Sequence, residues 1–112
     1  MSEPVRTREP VLVCQVGDLP TGAGAVVADV DGRRVTIARD SAGDLHAFDD
    51  TCTHQNVSLA EGEIEGDRIE CWLHGSQFDM RTGEPKQLPA TRPVAVHTVI
   101  VERGDVFVAL SD

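Results

Sequence analysis

Short runs rich in Val, Ile, Leu and Ala recur along the chain, each cut off by turn residues. VLVCQV (residues 11–16) and AVVADV (25–30) read as strands. Asp31-Gly32 then reads as a tight hairpin turn into RRVTIAR (33–39). Residues 40–43 turn the chain again into LHAF (45–48). Gly66-Asp67 separates EIE (63–65) from RIEC (68–71), a second hairpin. A third places residues 94–102 and 106–110 around Arg103-Gly104-Asp105. No longer stretch carries a helical repeat, and ten glycines and six prolines punctuate the chain. The pattern predicts an all-β sandwich or barrel. Residues 83–93 (GEPKQLPATRP) read as a proline-stiffened loop, because each Pro fixes φ and removes a donor.

Composition narrows the setting. At 112 residues the chain is expected to form one domain, 1–112, with residues 1–10 a flexible N-terminal segment. Aromatics are only 4% of it, so aliphatic side chains must fill the core. No apolar run approaches the ~18 residues needed to cross a bilayer, and the first residues lack the apolar centre of a signal peptide. A cytoplasmic protein, with no membrane partner, is the expectation. The net charge of −9 disfavours nucleic acid and anionic lipid, and favours a partner with a basic face. Three cysteines, an odd number, make metal binding a better use for a closely spaced pair than a disulfide framework.

Two segments carry that chemistry. Cys52-Thr-His54 is a C-x-H, and Cys71-Trp-Leu-His74 is a C-x-x-H, with sixteen residues between His54 and Cys71. Each offers one thiolate and one imidazole at the end of a strand-like run. Two Cys and two His could hold a tetrahedral zinc. Zinc modules, however, usually pair Cys with Cys and His with His. One of each per loop also suits a two-iron cluster in which one iron takes both thiolates and the other both imidazoles.

The C-x-H … C-x-x-H-G-S pattern resembles the Rieske signature, in which two His replace two Cys on one iron. The likeness extends to residues 48–54 (FDDTCTH), 62–67 (GEIEGD), 78–83 (FDMRTG) and 89–93 (PATRP), which are similar to ferredoxin components of aromatic-ring-hydroxylating dioxygenases. It implies a small β-sandwich of stacked antiparallel sheets with two cluster-binding loops at one tip. It implies one 2Fe–2S cluster per chain, with Cys52 and Cys71 on the inner iron and His54 and His74 on the outer. It also implies a one-electron carrier, not an enzyme. The carrier would be a monomer that docks transiently with a flavoprotein NAD(P)H reductase and a terminal non-haem iron oxygenase. Respiratory Rieske proteins carry two further cysteines where this chain has Val57 and Leu73, and a tyrosine where it has Phe78, so respiratory membership is disfavoured. Replacing two thiolates by neutral imidazoles makes an added electron easier to hold. Potentials move from about −400 mV for plant-type clusters to roughly −150 to +300 mV for Rieske centres. Phe78 and the acidic surface point to the low end of that range.

Gln55, Gly75 and Ser76 are expected to supply hydrogen bonds around such a cluster, since outer donors tune metal centres. Cys14, amid Val and Leu, reads as a buried inert thiol. His46 and His97 read as surface or half-buried strand residues, and Trp72 as packing or a shield against water. Two other functions compete: the small subunit of a nitrite-reductase-like complex, and a ferredoxin serving iron–sulfur assembly.

Overall fold

The computed structural model describes residues 9–51, 58–72, 75–87 and 92–111. Among the described residues the chain forms ten strands: β1 Val11–Gln15, β2 Gly24–Val30, β3 Arg33–Arg39, β4 Leu45–Asp49, β5 Glu63–Glu65, β6 Arg68–Glu70, β7 Gln77–Asp79, β8 Pro85–Gln87, β9 Val96–Glu102 and β10 Asp105–Ala109. They pair antiparallel into a six-stranded sheet, β1-β10-β9-β4-β3-β2, and a four-stranded sheet, β5-β6-β7-β8. The expected all-β fold of stacked antiparallel sheets is the observed one. No helix among the described residues is long and apolar enough to cross a membrane.

Local chemistry explains the hairpins. Asp31 and Gly32 both take positive φ (52° and 84°), as do Arg103 and Gly104 (54° and 82°). Two positive-φ residues in a two-residue loop match the right-handed twist of the strands they join. The β2–β3 register runs unbroken from Gly24 opposite Arg39 to Val30 opposite Arg33.

Packing is organised around β3 and β4. Val35, Thr36, Ile37 and Ala38 are all buried, so both faces of β3 are covered. Val35, Ile37 and Ala47 pack with Leu19, Val30, Val106, Val108 and Leu110 in one core. Ala38 and Phe48 pack with Leu59, Ile69, Cys71, Phe78, Met80 and Val94 in a second. Alternate residues of one strand face opposite sides, so β3 and β4 form the layer shared by the two cores. Each fully buried Val or Ile is worth about 1.5–3 kcal/mol relative to exposure.

Four local readings need correction. Val16 leaves β1 and enters a short 3₁₀ turn, Val16–Asp18. The strand Gln77–Asp79 was not legible in the sequence. Pro85–Gln87, expected within a loop, pairs with β7 at the edge of the small sheet. Pro at the first residue of an edge strand forfeits no ladder bond. The rest of that segment, 88–91, lies outside the described residues. His97, expected at least half-exposed, is buried. Its Nδ1 accepts the Ser111 N–H at 3.1 Å, and its Nε2 lies 2.8 Å from Asp49 Oδ1. A ring nitrogen that accepts a backbone N–H carries no proton, so the ring proton sits on Nε2 and is donated to Asp49.

Asp49 also takes two hydrogen bonds from the Arg33 guanidinium, both at 2.9 Å. Burial pushes its carboxyl up, but Arg33 and His97 outweigh this and hold it below the usual carboxylate range. Asp40 is held low in the same sense: burial raises it, while His46 and the Asp44 and Ala42 amides lower it further. A folded carboxyl below its unfolded value stabilises the fold above that value, and the contribution fades as pH falls through the folded one. Unfolding by urea, followed by circular dichroism, should therefore show stability falling below about pH 4. In Asp49→Asn the acid-side fall should be shallower and the stability at pH 7 lower.

Candidate metal centre

The strand β4 ends at Asp49 and delivers Asp50 and Thr51 to the start of the first Cys/His segment. Thr51 and Ser58 form an antiparallel bridge that closes residues 52–57 at their root. The second segment starts where β6 ends, at Cys71, which is 1% exposed. The Cys71 N–H donates to Ser76 O at 2.6 Å and the Gly75 N–H to Cys71 O at 3.0 Å, a tight closure that returns the chain into β7. Both roots belong to one place. Leu59, just past the first segment, shares the buried cluster with Cys71, Ile69 and Phe78. Gly62 lies so close to β6 that an added Cβ would collide with the Glu70 carbonyl oxygen.

Asp50 ties the first root to the sheet. It is 2% exposed. Its Oδ1 accepts Thr36 Oγ1–H at 2.8 Å, Ser58 Oγ–H at 2.7 Å and the Ala60 N–H at 3.2 Å. Its Oδ2 lies 3.3 Å from an Arg34 guanidinium nitrogen. Nothing in the residue spacing singled Asp50 out. Its partners come from β3 and from beyond the segment, so only the fold unites them.

Of the expected ligands, Cys71 is described, and it lies buried just past the end of β6. Cys52, His54, His74 and Gln55 lie outside the described residues. Gly75 takes φ +76° and gives its N–H to Cys71 O. Ser76 is wholly buried just before β7, and Phe78 is wholly buried in the cluster that holds Cys71. Trp72 is 52% exposed, so it sits on the surface beside Cys71 and not in the core. Cys14 is only half-buried, not buried as expected; burial first, and then Asp18, pushes its thiol up.

The described residues fit a thiolate-held metal group. A buried thiol stands just past the end of a short strand, in a cluster of apolar side chains. The root of a second Cys/His segment is packed against the same strand. Stacked antiparallel sheets that present two such segments from adjoining roots define the Rieske class. The chain belongs to the Rieske [2Fe-2S] domain family, whose pattern matches residues 9–99.

Among its relatives is the 3-phenylpropionate/cinnamic acid dioxygenase ferredoxin subunit of Escherichia coli strain K12. It is 36% identical over 103 residues, covering 91% of this chain and 94% of the relative. A chain in a complex of reduced oxygenase and oxidized ferredoxin of carbazole 1,9a-dioxygenase superimposes with a TM-score of 0.84 at 34% identity. That match covers 92% of this chain and 95% of the other. A nitrite reductase small subunit superimposes with a TM-score of 0.76 at 19% identity, covering 89% of this chain and 97% of the other, which is likeness of fold alone. Ferredoxin subunits of dioxygenase systems are electron-transfer components and not the catalytic enzymes, in agreement with the reading of this chain from its sequence.

Gly62→Ala should push the two roots apart, because the new methyl meets backbone and not a movable side chain. Overpacking of this kind costs about 1–3 kcal/mol or more. Gly17→Ala, whose Cβ would meet nothing within 4 Å, should stay within about 0.5 kcal/mol of the parent in the same urea titration.

Proposed function

We propose that the chain, as one domain over residues 1–112, is a one-electron carrier working in the cytoplasm. It takes electrons from a flavoprotein NAD(P)H reductase and gives them to a terminal non-haem iron oxygenase. Cys52, His54, Cys71 and His74 would hold one 2Fe–2S cluster, with Ser76, Gly75, Gln55 and Phe78 around it. Bound there, the cluster supplies reversible one-electron redox chemistry. The single observation that carries this reading is that Leu59, just past the first Cys/His segment, and Cys71, which opens the second, share one buried cluster. Identity orders the alternatives: 36% to a dioxygenase ferredoxin subunit against 19% to a nitrite reductase small subunit.

The residues of the chain divide the work. Cys71, Phe78, Ile69 and Leu59 keep water from the inner side of the site. A drier site favours the less charged redox state, so these residues bear on the potential as well as on packing. Trp72 projects beside Cys71 and offers a partner an aromatic contact next to the ligands. Aromatic anchors of this kind are enriched at interfaces. On the hairpin between the two segments, Glu61, Glu63 and Glu65 are exposed and present negative charge to an approaching basic face.

Purified protein should be red-brown and hold about two irons and two sulfides per chain, because both thiolates and both imidazoles are used. His54→Ala and His74→Ala should each lose the cluster, while Cys14→Ser should keep it. Colourless protein with one tightly held zinc would refute the proposal.

Docking should be salt-sensitive, since steering between exposed charges weakens as the Debye length falls from ~10 Å at 0.1 M to ~3 Å at 1 M. Stopped-flow reduction by the partner reductase should slow as salt rises. The triple variant Glu61→Gln, Glu63→Gln, Glu65→Gln should react more slowly at low salt and show a flatter salt dependence. A wild-type slope in that variant would move the docking face elsewhere.

A further inference from the structure

We infer that Asp50 is a positioning residue for the first cluster loop, and that with Arg34 it sets the local charge felt by the cluster. The inference rests on the electron-carrier reading above and adds to it a residue outside the ligand set. Asp50 stands two residues before Cys52, and the chain on both sides of it is tied down. Its N–H donates to Arg34 O at 3.2 Å, and its carbonyl accepts the Leu59 N–H at 2.6 Å. The side chain then gathers three donors on one oxygen: Thr36 from β3, Ser58 from the far end of the loop, and the Ala60 amide beyond it. Entry and exit of residues 52–57 are therefore referred to a single buried atom, and through Thr36 to the strand shared by both cores.

A core position at 2% exposure would ordinarily be apolar. A buried carboxylate survives only when its oxygens are fully hydrogen-bonded and its charge is answered. Here three donors satisfy one oxygen, and one guanidinium stands against the charge. Arg34 is exposed, 61% for its side chain, so it balances the Asp50 charge only in part. The remainder is a fixed negative charge two residues from a ligand, which opposes addition of an electron to the cluster. Opposite changes of potential should therefore follow from removing Asp50 charge and from removing Arg34 charge.

The test uses the cluster-loaded protein, with chelator-driven cluster release and the midpoint potential from protein-film voltammetry as separate readouts. Asp50→Ala leaves three donors without an acceptor and should release its cluster about tenfold faster or more. Should that variant fail to fold, Ser58→Ala and Thr36→Val each remove one donor while leaving the rest of the brace. Each should speed release several-fold, although Thr36 is remote in sequence from every ligand. Asp50→Asn keeps an acceptor oxygen for the three donors, so release should stay near the wild-type rate. Its potential should rise, whereas that of Arg34→Gln should fall. A purely structural role for Asp50 moves neither potential. Wild-type release rates in Ser58→Ala and Thr36→Val, or unchanged potentials in Asp50→Asn and Arg34→Gln, would overturn the inference while leaving the carrier reading intact. A wild-type protein that binds no 2Fe–2S cluster would overturn both.

Discussion

Burial of both faces of β3 and β4 is the constraint on which the rest of the molecule depends. A sheet with one wet face could end its strands anywhere along a polar surface. Here Val35, Ile37 and Ala47 are committed to one core, and Ala38 and Phe48 to the other. A slip of one residue would reverse every one of these assignments. The end of β4 is therefore fixed along the strand as well as across the sheet. Asp49 and Asp50 leave that end on opposite sides, one to Arg33 and His97, the other to Thr36 and Ser58. The first Cys/His segment thus departs from a point whose position is set by two cores and two carboxylates.

The second segment achieves the same end with less polar chemistry. Cys71 is itself a core residue, packed with Ile69 and Phe78, and two backbone hydrogen bonds close the turn from Cys71 to Ser76. Its root needs no buried charge because its strands pair directly, Ile69 opposite Phe78 and Glu70 opposite Gln77. The first segment joins β4 to a 3₁₀ turn, Leu59–Glu61, and among the described residues its exit is bridged to its entry at Thr51–Ser58 alone. Among the described residues there, a side chain supplies an acceptor to Ser58 and the Ala60 amide. The buried carboxylate is thus explained by the donors it satisfies at this root.

Legibility in the sequence followed how local each determinant was. The hairpins at Asp31-Gly32 and Arg103-Gly104 could be read because a two-residue turn with positive φ and its flanking alternation lie within one short window. The paired Cys/His segments, and with them the family, could be read because the C-x-H and C-x-x-H spacing is itself local. Gln77–Asp79 was too short to show alternation and is a strand because β6 and β8 flank it. Pro85 disguised β8, since its missing N–H matters only if the strand is not at an edge. His97 looked half-exposed until Asp49, 48 residues away, supplied the acceptor that lets an imidazole be buried. The same holds for Thr36, whose hydroxyl is tolerable inside β3 only because Asp50 receives it.

The acidic balance of the chain and its buried carboxylates act on the site in different ways. Exposed charges such as Glu61, Glu63 and Glu65 are screened by salt within a Debye length, so they bear chiefly on encounter with a partner. Asp50 is buried, so its charge is screened by salt less than theirs and depends more on its own partners. The two sets are separated by position: the exposed set on the hairpin of the small sheet, the buried one at the end of β4. An electron carrier built this way can change its partner preference by altering surface carboxylates without changing its driving force. It can change its driving force at Asp50 without redrawing the face it presents. That separation follows from placing the two loop roots on different sheets that share one core.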